Sequence, residues 1–287
     1  SAKNVLYLFA GCDKTECRIA NSSCPPGHAD LSTSASHYCQ TYSRIKMSQL
    51  RRKKVAIIGA GIMGVSTAIC LQDEDPSLDL TIIAEKFSPD NTSDGAAGMW
   101  SSIPGFWMKD TDKQKQRQWG EGTFHYMKAI IESEKACDYQ MSYITGYILY
   151  DKMMPQDPPL KDVCLYYRRL SKKELKQLGF SSDLIDGFTM KTMMFPGTPY
   201  LQIKLKQFQK NGGKIIQRKV KSFDEFAGKF DVVVNCTGLG SRELCNDKKI
   251  QPARGHILRM HAPWVNHFYY IKRKKQVDIG EATYIFP

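Results

Sequence analysis

The hexapeptide Gly59-Ala60-Gly61-Ile62-Met63-Gly64 has the residue types and spacing of a phosphate cradle. Each glycine has its own physical task. The first permits a tight turn, the second lets the backbone approach a pyrophosphate, and the third lets a helix pack closely on a strand. Free N–H groups at the start of the following helix then face the phosphates. The flanks agree. Val55-Ala56-Ile57-Ile58 is all apolar, as expected of a strand buried on both faces. Val65 to Leu71 is apolar and helix-compatible, and Leu78 to Ala84 reads as a second strand. Glu85 closes that strand, where a carboxylate can accept from ribose hydroxyls. Strand, glycine turn, helix, strand and acid make a βαβ unit for a dinucleotide. The competing explanation, a glycine turn needed only for packing, is weakened because every flanking part is in place.

Other segments carry weaker signals. Asp231 to Asn235 is a further strand that runs into Cys236-Thr237-Gly238-Leu239-Gly240. A parallel strand ending in Thr-Gly-x-Gly often returns to the same nucleotide crevice. Asn91 to Gly98 is polar and small, which suits a surface loop or a loop over a cofactor. Lys272-Arg273-Lys274-Lys275 is a concentrated basic run. It reads as a solvated loop or as cations presented to an acidic substrate. Tyr284 lies in an apolar strand and by itself reads as core. The six histidines show no metal-ligand spacing, so no metal site is expected. Gly-x-Ser-x-Gly and His-Glu-x-x-His are both missing.

Stepping outward to the elements, 287 residues that are 42% hydrophobic suffice for one large or two ordinary domains. That composition excludes a disordered chain. No stretch approaches the roughly 18 apolar residues of a membrane span. The net charge of +12 is spread out, apart from the basic run, rather than interleaved with aromatics on one face. Nucleic-acid binding is therefore not expected. Four of the nine cysteines fall at Cys12, Cys17, Cys24 and Cys39, and the others show no Cys-x-x-Cys. Reduced thiols in an intracellular compartment are expected. Residues 1–46 lack a sustained period and read as a leader or disordered extension, with Met47 the expected natural start. Val5 to Ala10 is too short for a signal peptide.

Further along, Lys113 to Lys135 reads as an amphipathic helix with Trp119, Thr123, Met127, Ile130 and Ile131 on its buried face. Tyr143 to Tyr150 reads as a strand, and Ser171 to Glu174 as a capping box for a short helix. Pro199 to Asn211 reads as a helix stopped by Gly212 and Gly213. Ile215 to Val220 is a strand, Ser222 to Lys229 a second capped helix, and Ile257 to Met260 a last strand.

Taken together, these blocks make residues 53–287 resemble the FAD-dependent D-amino-acid oxidases. Gly59 to Ala68 resembles that family's flavin turn and helix, and Glu85 to Met99 its second-strand acid and flavin-covering loop. Val233 to Arg242 with Pro252-Ala253-Arg254-Gly255 resembles a third block, and Thr283 to Pro287 the start of a fourth. Leu239-Gly240-Ser241-Arg242 and Thr283-Tyr284 look more like the branch that takes D-aspartate than the neutral branch. Glu85 stands where the family usually has Asp, and Gly95 where it usually has Val. A histidine of the aspartate branch has no counterpart between Ser101 and Trp119.

The resemblance implies an α/β protein in which a Rossmann-like FAD domain (residues 47–105 and 200–250) interleaves with a mixed-sheet substrate domain (106–199 and 251–287). It implies FAD as cofactor, with Gly59, Ala60, Gly61, Ile62, Met63 and Gly64 at the pyrophosphate. Glu85 and Lys86 would meet the adenosine ribose and phosphate. Thr92, Ser93, Gly98 and Met99 would line the flavin, and Val220, Thr237 and Gly238 would lie near the adenine end. Tyr284 would be the catalytic tyrosine that closes over substrate, with Lys272 or Arg273 binding a side-chain carboxylate. The implied reaction is oxidative deamination of a D-amino acid, most of all D-aspartate or D-glutamate, using oxygen as partner. Alternatives are a neutral D-amino-acid oxidase, an inactive flavin-binding remnant, and, from the glycine motif alone, an NAD dehydrogenase. A peroxisomal or cytoplasmic location is expected, and the oligomeric state is open. The family's carboxylate-clamping Arg-Pro-x-Arg motif would lie beyond Pro287, so these 287 residues alone are expected to lack oxidase activity.

Overall fold

The computed structural model describes residues 52–96, 98–101, 112–252, 255–273 and 282–287. The expected leader, Met47, Arg254, Lys274 and Lys275 lie outside the described residues.

Strand β1 (Lys54–Ile58) is apolar on both sides because both sides are covered. Helix α1 (Ile62–Glu74) leads back to β2 (Asp79–Ala84), which pairs parallel with β1. Strands β6 (Lys214–Gln217) and β7 (Val232–Asn235) extend the parallel sheet to the order β6-β2-β1-β7. One face packs Val55, Ile57, Leu80 and Ile82 against α1 and α5 (Gly197–Lys210). The other packs Ala56, Ile58 and Ile83 against Val220 and Phe226. The chain leaves β1 toward β2 on one side, while β7 lies on the other. The carboxyl ends of β1 and β7 therefore flank a topological switch point, where such sheets bind ligands.

A second sheet is mixed, in the order β4-β5-β3-β8-β9. Its strands are β3 (Ser142–Tyr150), β4 (Tyr166–Leu170), β5 (Asp186–Met194), β8 (His267–Lys272) and β9 (Thr283–Ile285). β3 pairs antiparallel with β5 and parallel with β8. One face buries Ile148, Tyr150, Phe188, Phe268 and Tyr270. The opposite face buries Leu149, Leu170, Leu175 and Leu184.

The loop after the first sheet is laced to the end of β5. Phe195 N–H donates to the Gly98 carbonyl, Trp100 N–H donates to Met193, and the Thr192 hydroxyl donates to Trp100. Gly98 has φ +72°, and a Cβ there would stand 1.7 Å from the Phe195 carbonyl oxygen. Only glycine permits both the conformation and the approach.

Two expectations are corrected. Helix α2 (Lys113–Ile131) buries Gln116, Phe124 and Met127, while Trp119 and Thr123 are exposed. Met127 is common to the expected and the observed stripe, but Phe124 takes the buried place expected for Trp119 and Thr123. Phe124 instead packs edge-on against Trp100, at 4.9 Å between ring centroids. Ile257 to Met260 forms no strand, and Leu258 is 90% exposed. β4, β5 and β8 carry no clean alternation that would announce them. Their order is dictated by partners distant in sequence.

The Ser171 capping box forms as read, ahead of α4 (Lys172–Gln177). The Glu174 carboxyl is held at about 2 by the Ser171 N–H, by Arg168 and by the Ser171 hydroxyl. Its support is therefore complete above its ordinary value of 4.5 and is lost as pH falls toward 2. In acid titrations of stability, Glu174→Gln should flatten the slope in that window. Two glycines separate strain from propensity. Gly98→Ala should cost roughly 2–3 kcal/mol in urea unfolding. Gly122→Ala, on α2 with open space around it, should add about 1 kcal/mol.

Candidate active site

The glycine turn divides its tasks as its spacing implies. Gly59 has φ +115°, and a Cβ there would stand 2.2 Å from the Cys236 carbonyl oxygen. A Cβ on Gly64 would stand 1.9 Å from the Gly59 carbonyl oxygen. These two glycines seat α1 on the ends of β1 and β7. Gly61 differs, since its Cβ would meet only the Ser93 hydroxyl, at 3.1 Å. Its surroundings are otherwise open, as a site for a phosphate ester requires.

The amino end of α1 is left ready for an anion. Gly61 supplies no side-chain cap, and the first turn holds no acidic residue. The positive end of the helix dipole is therefore not neutralised from within the helix. Ile62 N–H donates to the Ser93 hydroxyl at 3.0 Å, which takes one amide out of the expected set. Met63 is exposed at this terminus, while Gly64 and Ala60 are buried beside it. Glu85 and Lys86 are exposed at the carboxyl end of β2. Thr237 donates its N–H and hydroxyl to Asn235 at the end of β7, and Gly238 follows with φ +54°. Val220 is 7% exposed, with its side chain in the core against Phe226. Only its backbone is available to a ligand.

A 3₁₀ turn (Thr92–Gly95) stands beside α1. Asn91 and Asp94 form a capping box around it, and Asn91 Nδ2 reaches the Ala60 carbonyl. Asp94 is buried and accepts from the Ser88 and Thr198 hydroxyls and from Asn91 N–H. The turn is thus tied to the glycine loop, to α5 and to the segment that leads into it. Sequence reasoning missed Asn91 and Asp94 as the residues that fix this loop. Their Asn-x-x-Asp spacing was the available signal.

The loop continues to Met99, which bridges to Met194 and packs against the cluster that includes Phe268 and Tyr270 on the mixed sheet. On that face Tyr270 stands opposite Tyr284 of β9. Tyr284 is 42% exposed rather than core. Its hydroxyl lies 3.5 Å from where a Gly255 Cβ would be. From Gly255 the chain runs past Ile257, which faces Gly95, to Arg259, which donates to the Asp94 carbonyl at 3.2 Å. Tyr284 and the 92–95 turn are therefore joined by one short segment.

Lys272 and Arg273 separate. Lys272 shares the parity of Phe268 and Tyr270, so it belongs to the Tyr284 face. Ile271 belongs to the opposite face, where Arg273 Nε pairs with Asp183 at 2.7 Å. The structure brings Lys272 toward Tyr284 and commits Arg273 elsewhere.

A parallel sheet with a glycine-seated helix, an uncapped helix terminus and an acid on the adjacent strand defines a nucleotide-binding α/β protein. Residues 54–287 match the FAD dependent oxidoreductase family, and the chain belongs to it. FAD is the cofactor of that family, and the residues described above fit its pyrophosphate and ribose. The chain is 37% identical to human D-aspartate oxidase over 235 residues, covering 82% of this chain and 65% of that relative. It is 31% identical to a D-amino acid oxidase from Dugesia ryukyuensis, covering 75% of this chain and 63% of that one. Among solved structures, glycine oxidase from Geobacillus kaustophilus superposes with a TM-score of 0.53 at 13% identity, over 78% of this chain and 67% of that one. The chain thus spans just under two thirds of the length of the curated relatives named here. None of the described helices is long and apolar enough to cross a membrane.

Gly61→Ala tests the cradle. Its thermal midpoint should stay within a few degrees of wild type, while FAD affinity, read by flavin fluorescence, falls about tenfold or more. Gly64→Ala should instead lose folding. Unchanged FAD binding by Gly61→Ala would remove the pyrophosphate from this turn.

Proposed function

We propose that this chain carries the FAD half and part of the substrate half of a D-amino-acid oxidase that prefers acidic substrates, D-aspartate and D-glutamate. The observation that carries the preference is the placement of Lys272 on the same sheet face as Tyr284, next to the loop that ends in Met99. The name of the human relative points the same way.

The reaction is R–CH(NH₃⁺)–COO⁻ + O₂ + H₂O → R–CO–COO⁻ + NH₄⁺ + H₂O₂. The two-electron oxidation, with the α-hydrogen leaving as hydride and the electrons going on to oxygen, is the chemistry that bound FAD would supply. The chain's own work is binding and orientation. Gly61, Met63 and Gly64 present backbone to the pyrophosphate, and Glu85 accepts from ribose hydroxyls. Ser93 and Met99 fix the loop that would lie along the flavin. Tyr284 closes over substrate and donates to its α-carboxylate. Lys272 supplies the second positive charge that a dicarboxylate needs. Apolar neighbours such as Phe268 and Phe286 limit water around these polar contacts. A peroxisomal or cytoplasmic setting goes with this reading. A neutral-substrate oxidase is the second reading, and it leaves Lys272 without a task.

Peroxide release by the full-length protein that contains these 287 residues, with D-aspartate, D-alanine and L-aspartate, tests the proposal. D-Aspartate should be the best substrate and L-aspartate should be inert. Lys272→Ala should raise KM for D-aspartate by roughly tenfold or more and leave D-alanine within about twofold. Equal losses on both substrates would assign the protein to neutral amino acids.

A further inference from the structure

Tyr150, the last residue of β3, is 1% exposed, and its hydroxyl meets no hydrogen-bond partner among the described residues. A buried donor left unmade is a net cost to the fold, which phenylalanine at the same position would avoid. Such a group in a native core calls for a reason beyond packing. Its place in the sheet supplies one. In register, Tyr150 stands between Asp186 of β5 and Lys272 of β8. One step along the same face, Ile148 aligns with Tyr270, and Tyr270 with Tyr284. Tyr150 is thus on the wall that holds Tyr284, directly beside the lysine of that wall.

We propose that Tyr150 is a specificity-determining residue whose hydroxyl donates to the side-chain carboxylate of a dicarboxylic substrate, with Lys272 as the neighbouring cation. The inference rests on the acidic-substrate reading above and names the group that gives it direction. A lysine ammonium is a mobile point charge, whereas a phenol on a strand offers one donor along one line. Burial pushes the Tyr150 phenol well above its ordinary value, so it holds its proton and acts as donor at neutral pH. The Asp186 carboxylate does not compete for that proton. It accepts from Arg169 Nε and from the N–H groups of Met154 and Gly187. The hydroxyl is enclosed, but the partly buried members of its cluster include Met99 and Met154. Methionines repack at low cost, so a small carboxylate can reach it.

Tyr150→Phe removes only the oxygen. FAD-loaded wild type and variant are titrated with malonate, a dicarboxylate, and propionate, a monocarboxylate, by the change in the visible flavin spectrum. Malonate should weaken roughly ten- to hundredfold in the variant, with propionate within about twofold. The variant's unfolding midpoint should equal or exceed that of wild type. A merely structural hydroxyl would lower the midpoint and shift both ligands alike, and that result, or a variant that fails to fold, overturns the proposal. Unchanged malonate binding in the variant, with wild type still preferring malonate, overturns the role of Tyr150 and leaves the acidic reading intact. If wild type does not prefer malonate over propionate, the acidic reading itself falls, and this proposal falls with it.

Discussion

The approach of Gly64 to the Gly59 carbonyl, and of Gly59 to the Cys236 carbonyl, fixes the distance between α1 and the carboxyl ends of β1 and β7. Every other contact of the nucleotide half is built around it. With α1 seated this closely, its uncapped amides stand at the switch point rather than a side chain's width above it. A methyl group at either glycine would push the helix away and open the crevice. The strands' apolar runs set where the sheet lies. The glycines set what the sheet can hold.

From that seat, positional information passes toward the mixed sheet through a carboxylate-stapled turn. Asp94 has no cation beside it in the described contacts. It is satisfied by two hydroxyls and an N–H instead. Neutral donors suit a loop next to a cofactor, because they hold an anion without adding a competing positive charge to the site. The same turn receives Ile62 N–H on the Ser93 hydroxyl and the guanidinium of Arg259 on a carbonyl. Gly98 then locks the loop onto the end of β5. A change in the nucleotide cradle is thus two short segments away from Tyr284.

Legibility in the sequence follows the locality of the cause. The βαβ unit, the Ser171 and Ser222 capping boxes and the stop at Gly212 depend on neighbours within a few residues, and all are readable from the chain. Ile257 to Met260 has a strand's composition but finds no partner strand among the described residues, and composition cannot supply one. The buried face of α2 is set by Trp100, a residue outside the helix, so periodicity alone places it wrongly. Lys272 and Arg273 are adjacent and chemically alike. Only the register of β8 on β3 separates them, sending one to the Tyr284 face and the other to Asp183.

That separation also explains why a basic run is a poor guide to specificity. In a strand, consecutive cations point to opposite faces, so a run of them delivers its charges alternately to a site and to solvent. What distinguishes Lys272 is the company on its side of the sheet. Tyr270, whose phenol is pushed up to about 12 by burial, and Tyr150 stand with it on apolar ground. A charge on such a face is screened less than one in open water, and each donor there has a fixed direction. On the proposed reading, selectivity for a second carboxylate depends on the alternation of one strand and on one buried hydroxyl. The net charge of +12 contributes only a general attraction for anions.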